Sequence, residues 1–119
     1  MGFTLAHVGL NGIDASDAQT IARAFSALLG LPHRPQPASH FAGSLVEVMS
    51  GGGRGAHGHI GFGTDDLPRA MYFASRAGFA FDPDSRKDDA LGNPLLYYLK
   101  NEIAGFGIHL LQKERGTPP

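Results

Sequence analysis

His7-Val8-Gly9-Leu10 and His59-Ile60-Gly61-Phe62 are one phrase written twice: histidine, β-branched residue, glycine, large apolar residue. The residues after each copy repeat as well. An acidic, helix-opening cluster comes next, Asp14 to Asp17 in the first case and Asp65-Asp66 in the second. An Ala-rich helical segment then runs to a glycine plus an apolar residue, Gly30-Leu31 and Gly78-Phe79. The spacings differ by a few residues, so this is a loose duplication and not a tandem array. Two units of this size form a pseudo-symmetric pair, not a solenoid.

The local patterns keep the same rhythm. Residues 3–10 alternate with Phe3, Leu5, His7 and Gly9 on one face, which predicts a strand. Ser16 with Gln19 three positions later has capping-box spacing and predicts a helix start. Ile21, Phe25, Leu28 and Leu29 fall on one helical face, and Gly30 provides a left-handed stop. The second helix is expected to begin near Asp65 or Asp66, with Pro68 in its first turn and Leu67, Met71, Ala74 and Gly78 along one stripe. Between the helices, Pro32, Pro35 and Pro37 allow only a ragged or edge strand. Residues 44–50 form a better one, with Leu45, Glu47 and Met49 on one face. Gly51 to Gly55, interrupted by Arg54, reads as a flexible connection between the halves. In the second half, 79–82 reads as a short strand and 83–94 as a turn-rich loop. Residues 95–100 and 106–112 are expected to pair around the turn NEIAG. The closing GTPP (116–119) reads as a frayed tail. The fold class is α+β: two βαβββ-type modules, about 1–50 and about 56–113, in a single domain of two small sheets sharing a core.

Composition limits the functions available. With 119 residues, 42% hydrophobic and 18% charged, the chain has the usage of one globular domain. A formal net charge of -1 provides no basic surface, so nucleic acid and anionic membranes are not expected partners. No apolar run reaches the ~20 residues that span a bilayer, and no basic region precedes the apolar N-terminal stretch, so a cytoplasmic location is expected. Cysteine is absent, which excludes disulfides, thiolate catalysis and sulfur ligands. Any bound metal must be held by imidazole, carboxylate, carbonyl or water.

Four residues fall at matching places in the two modules. His7 and His59 are in the first strand of each, and Glu47 and His109 are in the last. Aliphatic neighbours of the opposite face lock each side chain in direction. Buried histidine and carboxylate cost several kcal/mol unless something satisfies them. A shared divalent ion does so for all four. Three neutral imidazoles and a carboxylate suit Zn, Ni, Fe, Co or Mn, and not Ca or Mg, which prefer oxygen shells. Taken singly, each histidine also reads as a satisfied core residue and Glu47 as a surface one.

These residues resemble the vicinal-oxygen-chelate superfamily, which includes glyoxalase I, extradiol dioxygenases and bleomycin-resistance proteins, over nearly the whole chain. The resemblance implies paired βαβββ modules forming a cup, with metal ligands at the positions of His7, Glu47, His59 and His109. It also implies a homodimer. His109 departs from the pattern, standing where glyoxalase-type enzymes carry glutamate, and makes the site less anionic. FAGSLVEVM (41–49), GRGAHGHIGFGT (53–64) and YYLKNEIAGFGIHLLQK (97–113) are similar to the small module appended to some bacterial 2-keto-3-deoxy-6-phosphogluconate aldolases. That similarity suggests keto-acids or sugar-acid phosphates as substrates.

Other residues carry paired readings. His57, two before His59, is either a spare ligand or proton shuttle in a continuing strand, or an exposed loop residue. Arg54 is either a clasp for a carboxylate or phosphate or a solvated charge. Only one of Tyr97 and Tyr98 can face inward; Tyr98 is the substrate-contact candidate, with core packing as the alternative. Glu47 and Glu102 are candidate general bases. His33 and His40 read as incidental. The expected function is metal-dependent isomerase or lyase chemistry on a small oxygenated substrate. The competing readings are a non-catalytic binding module of the same fold and, ranked lower, extradiol oxygen chemistry.

Overall fold

The computed structural model describes residues 2–113, and the GTPP tail lies outside them. In the first half, β1 (Thr4–Asn11) leads into α1 (Ala15–Leu29), followed by β2 (His33–Pro35), β3 (Ser39–Ala42) and β4 (Val46–Met49). The second half repeats this with β5 (Gly58–Thr64), α2 (Leu67–Arg76), β6 (Lys87–Asp88), β7 (Pro94–Tyr98) and β8 (Phe106–Gln112). The fold is α+β. Its strands form one open mixed sheet in the order β2-β3-β4-β1-β5-β8-β7-β6. In each half the first strand runs parallel to the last, β1 beside β4 and β5 beside β8. The halves join through antiparallel β1 and β5. The two separate sheets expected from the sequence are therefore one, because the strands that open the modules pair with each other.

That central pairing is built on the repeated phrase. Val8 faces Ile60, His7 faces Gly61, and Gly9 faces His59. The glycines are required by space. A Cβ on Gly9 would lie 1.9 Å from Cε1 of His59, and one on Gly61 would lie 2.2 Å from Nε2 of His109. Each histidine-x-glycine copy thus supplies an imidazole and makes room for another.

Apolar residues collect on the helix side of the sheet in two clusters instead of a single shared core. α1 packs Ala18 and Ala22 onto Ala42, Val46 and Val48, with Leu10, Ile21 and Phe25 around them. α2 packs Leu67 and Ala70 onto Leu110, with Phe62, Met71, Phe81 and Tyr97 around them. Completely buried, Val48 and Leu67 each contribute about 1.5–3 kcal/mol. The alanines let α1 sit close to the sheet, and its buried stripe turns away from Leu28 and Leu29, which are 77% and 45% exposed against expectation.

Several boundaries also differ from the sequence reading. α1 starts before Ser16, because Asp14 accepts from the Asp17 N–H (2.8 Å) while Asp17 accepts from the Ile13 N–H (2.8 Å). This reciprocal carboxylate cap starts the helix two residues before a Ser16 cap would, leaving Ser16 inside the first turn. The stop at Gly30 (φ 68°) and the α2 start at Asp66 with Pro68 in its first turn are as expected. β3 is absent from the sequence reading, and a bulge between Leu5 and His7 interrupts the alternation of β1. In place of a strand at 79–82 there is a single bridge between Phe81 and Leu99. The glycine-rich connection is pinned at its C-terminal end: Asn11 Nδ2 donates to the Gly55 carbonyl (2.8 Å), and Arg54 pairs with Asp82 (2.8 Å).

Gly9→Ala should destabilise the protein by about 1–3 kcal/mol, since the added methyl must displace a buried ring. Denaturant midpoints measure this. A Gly9→Ala midpoint equal to wild type would show that the histidine-glycine pairing imposes no constraint.

Candidate metal centre

Sheet register brings the site together. One row across the sheet reads Phe41, Glu47, Gly9, His59 on β3, β4, β1 and β5. The next row reads His7, Gly61, His109, Tyr98 on β1, β5, β8 and β7. The rows lie two residues apart along the strands, so all these side chains share the face away from the helices. The glycines at the crossings leave the space into which the rings lean.

The donor atoms are close. His7 Nε2 lies 3.2 Å from His59 Nε2, Glu47 Oε1 lies 3.1 Å from His59 Nε2, and Glu47 Oε1 lies 3.6 Å from His7 Nε2. His7, His59 and His109 each offer a ligand nitrogen, all within 4.8 Å of one another. Ligands about 2.1 Å from a shared ion stand roughly 3.0–3.4 Å apart in octahedral or tetrahedral geometry, a range that two edges of the triangle of His7, His59 and Glu47 meet and the third, at 3.6 Å, slightly exceeds. Hydrogen bonding alone leaves the cluster short of partners. Nδ1 of His59 and both ring nitrogens of His109 are buried with no hydrogen-bond partner among the described residues, and His59 and His109 are each only 2% exposed. A cation at the centre would take Nε2 of His59 and one nitrogen of His109, supplying a partner that one shared proton cannot. Three imidazoles and a carboxylate fit a transition metal.

The electrostatics agree. Burial lowers the His7 pKa, with His59 adding to the effect and Glu47 opposing it. His109 is pushed down to about 3, first by burial and then by His7 and His59. Both rings are therefore neutral near pH 7 and keep a lone pair for a metal. Burial raises the Glu47 pKa, but hydrogen bonds to His59 and Ser39, together with the nearby imidazoles, outweigh it and hold the carboxyl below its ordinary value. Ser39, itself buried, donates to Glu47 Oε2 (2.8 Å) and so turns Oε1 toward the histidines.

These residues line a cavity of about 480 Å³ on the open face of the sheet. Arg54 and Tyr98 also line it. The Arg54 guanidinium lies 4.5 Å above the Tyr98 ring, and that ring stacks on His109 at 4.7 Å and 13°. Tyr98 has its phenol pushed up to about 12, by burial first and then by Glu47. Phe41 meets His7 edge-on at 6.1 Å.

His57 and Glu102 are placed elsewhere. Gly58 (φ 118°) turns the chain between His57 and His59, so alternation does not carry across, and exposed His57 lies against Phe106. Glu102 accepts from the Ala56 N–H (3.2 Å). His33 and His40 form a stacked pair on the β2–β3 edge, ring centroids 5.1 Å apart, away from the cavity-lining residues. Ser39, Phe41 and Asp82 do not stand out in the sequence. The repeat contains a signal for Phe41, which occupies in β3 the place that Tyr98 holds in β7, but it is readable only once β3 is recognised.

The metal-free protein should lose stability as pH falls. His7 and His109 have folded pKa values below 6.5, so from about pH 6.5 downward the unfolded chain takes up protons that the folded chain refuses. The slope reaches at most about 1.4 kcal/mol per pH unit for each group. Glu47, lowered from 4.5, adds a loss of the same sign only below that window. Denaturant melts between about pH 7 and pH 5 should show the decline, and His109→Gln should flatten it. An identical slope in His109→Gln would refute the assignment.

No protein-family profile matches the sequence, and no curated protein matches it. Solved structures do. A hypothetical protein from Bacillus halodurans is similar at a TM-score of 0.65 and 15% identity, over 100% of both chains. A variant of Streptomyces coelicolor methylmalonyl-CoA epimerase in complex with 2-nitronate-propionyl-CoA is similar at 0.64 and 15%, over 98% of both. The Mycobacterium tuberculosis methylmalonyl-CoA epimerase is similar at 0.57 and 14%, over 92% of this chain and 87% of that one. At these identities the likeness speaks for fold. With the module order, the single open sheet and these neighbours in agreement, the chain has the paired βαβββ fold of the vicinal-oxygen-chelate superfamily.

Proposed function

We propose that this chain is a metal-dependent enzyme of the glyoxalase type, carrying out isomerase or lyase chemistry on a small oxygenated substrate such as a keto-acid. The observation that carries this reading is the cluster of His7, His59 and His109 with Glu47 against two of them, and buried imidazole nitrogens that have no hydrogen-bond partner among the described residues. Zn, Ni, Fe, Co or Mn suits the donor set. When bound, such an ion supplies Lewis-acid polarisation of the substrate oxygens. The similarity to methylmalonyl-CoA epimerases supports an isomerase.

The chain's own residues then do the positioning and proton transfer. Glu47 is the carboxylate beside the histidines, and in this reading it moves a proton between the carbons next to the substrate oxygens. Ser39 holds its other oxygen and so fixes the direction of attack. The Tyr98 ring, stacked on His109, excludes water from that side. A homodimer belongs to the same reading, supported by Phe3 and Leu5, which are half exposed around the start of β1. A monomer mass by light scattering would remove it. Among the described residues, no helix is long and apolar enough to cross a membrane.

Metal analysis of protein purified without an affinity-metal step tests the centre. Wild type should hold about one divalent ion per chain and His59→Ala should hold little, with a matching loss of metal-induced thermal stabilisation. No ion in wild type, even after reconstitution, would rule out the enzyme reading. Stabilisation by small molecules alone would then indicate a binding module.

A further inference from the structure

The two modules are equivalent in topology, but their cavity walls are not. The first module contributes apolar Phe41 and Met49 beside the ligands. The second, with the connection leading to it, contributes Arg54, Arg86 and Lys87. These cations differ in how they are engaged. Arg86 is tied to Asp88 (2.5 Å) and to the Gly92 carbonyl (3.2 Å). Arg54 is held by Asp82 through Nη2 alone and braced on Tyr98, which leaves a guanidinium fixed in place at the cavity wall. Lys87 has no ion pair among the described residues. It pairs with Leu96 in the β6–β7 ladder, and Leu96 is two residues from Tyr98, so Lys87 shares the face of the histidines.

We propose that Lys87 and Arg54 form an anion subsite of this cavity, so that the substrate is a small oxyacid with a second anionic group, carboxylate or phosphate, seated against the second module's wall. The chemistry matches each residue. Lys87 offers three rotatable donors on a point charge, and Arg54 offers a pre-oriented fork, which together suit either oxyanion. The apolar first-module wall leaves the opposite side for carbon, so the substrate enters in one orientation despite the pseudo-symmetry. Glu47 and Asp84 are the acidic residues lining the same cavity. Glu47 is engaged by Ser39 and His59, and Asp84 stands on the second module's wall, where Arg54, Arg86 and Lys87 outnumber it as lining residues, so that wall is where an anion is received.

This inference rests on the proposed metal-dependent function only for which end of the substrate lies at the histidines. Anion binding is therefore tested on metal-free protein at low salt, with inorganic phosphate and with succinate as probes, by calorimetric titration. Saturable binding is expected, weakened about tenfold or more in Lys87→Gln and several-fold in Arg54→Gln. Arg86→Gln should change it less than about twofold, because that side chain is already engaged. Phosphate binding without succinate binding would identify a phosphorylated acid, and binding of both a second carboxylate or its equivalent. Lys87→Gln affinity equal to wild type, an equally large loss in Arg86→Gln, or heat that does not saturate would overturn the subsite. His59→Ala keeping phosphate affinity while losing metal would show the two sites to be separable. A failed metal centre would thus leave this result standing.

Discussion

Everything in this structure depends on the antiparallel pairing of β1 with β5, in which each strand's histidine faces the other's glycine. An imidazole can lean over a neighbouring strand only where that strand has no Cβ, and Gly9 and Gly61 provide those openings. The same ladder joins two four-stranded halves into one sheet and sets where the centre lies. Were the register to slip by one residue, the histidines would turn to the helix side and the aliphatic residues would face solvent. The apolar packing of Val46 and Val48 under α1, and of Leu110 under α2, holds the register against that slip.

The centre is costly as a set of buried imidazoles around one carboxylate, and this is informative. Burial is the first reason that the pKa of His7 and His109 is low, so proton uptake cannot relieve the cluster near neutral pH. Among the described residues, only His7 and His59 contact Glu47 within ion-pair distance, and the His109 ring nitrogens have no hydrogen-bond partner. A divalent ion at this candidate centre would ease the conflict without further protonation. Ser39 completes the arrangement from β3 by fixing Glu47, a supporting role that a carboxylate among imidazoles needs if it is to keep one direction.

Pseudo-symmetry ends at the walls. Phe41 and Tyr98 are equivalent in the sheet, and both abut ligand imidazoles. Around them the modules diverge, with apolar Met49 on one side and cationic Arg54 and Lys87 on the other. The repeated topology therefore brings the candidate ligands together, while the unlike walls supply polarity from one side of the cavity to the other. Arg54 connects the two features, since it stacks on the tyrosine that stacks on His109.

The repeated histidine-x-glycine phrase made the paired modules legible, and period-two alternation made the directions of His7, Glu47, His59 and His109 legible, because both properties are local. Helix ends at Gly30 and Asp66 were readable for the same reason. Features that depend on which strand lies beside which were not. Sequence could not show that the two sheets merge into one, that β3 exists and carries Ser39 and Phe41, or that the glycine-rich connection is pinned by Asp82 and Asn11. His57 illustrates the boundary between the two kinds of information. By count it belongs on the face of His59, but the backbone turn at Gly58 removes it, and local alternation contains no record of such a turn. Sequence alone determined which residues could bind a metal; the register between strands distant in sequence decided that His7, His59 and Glu47 meet within 3.6 Å.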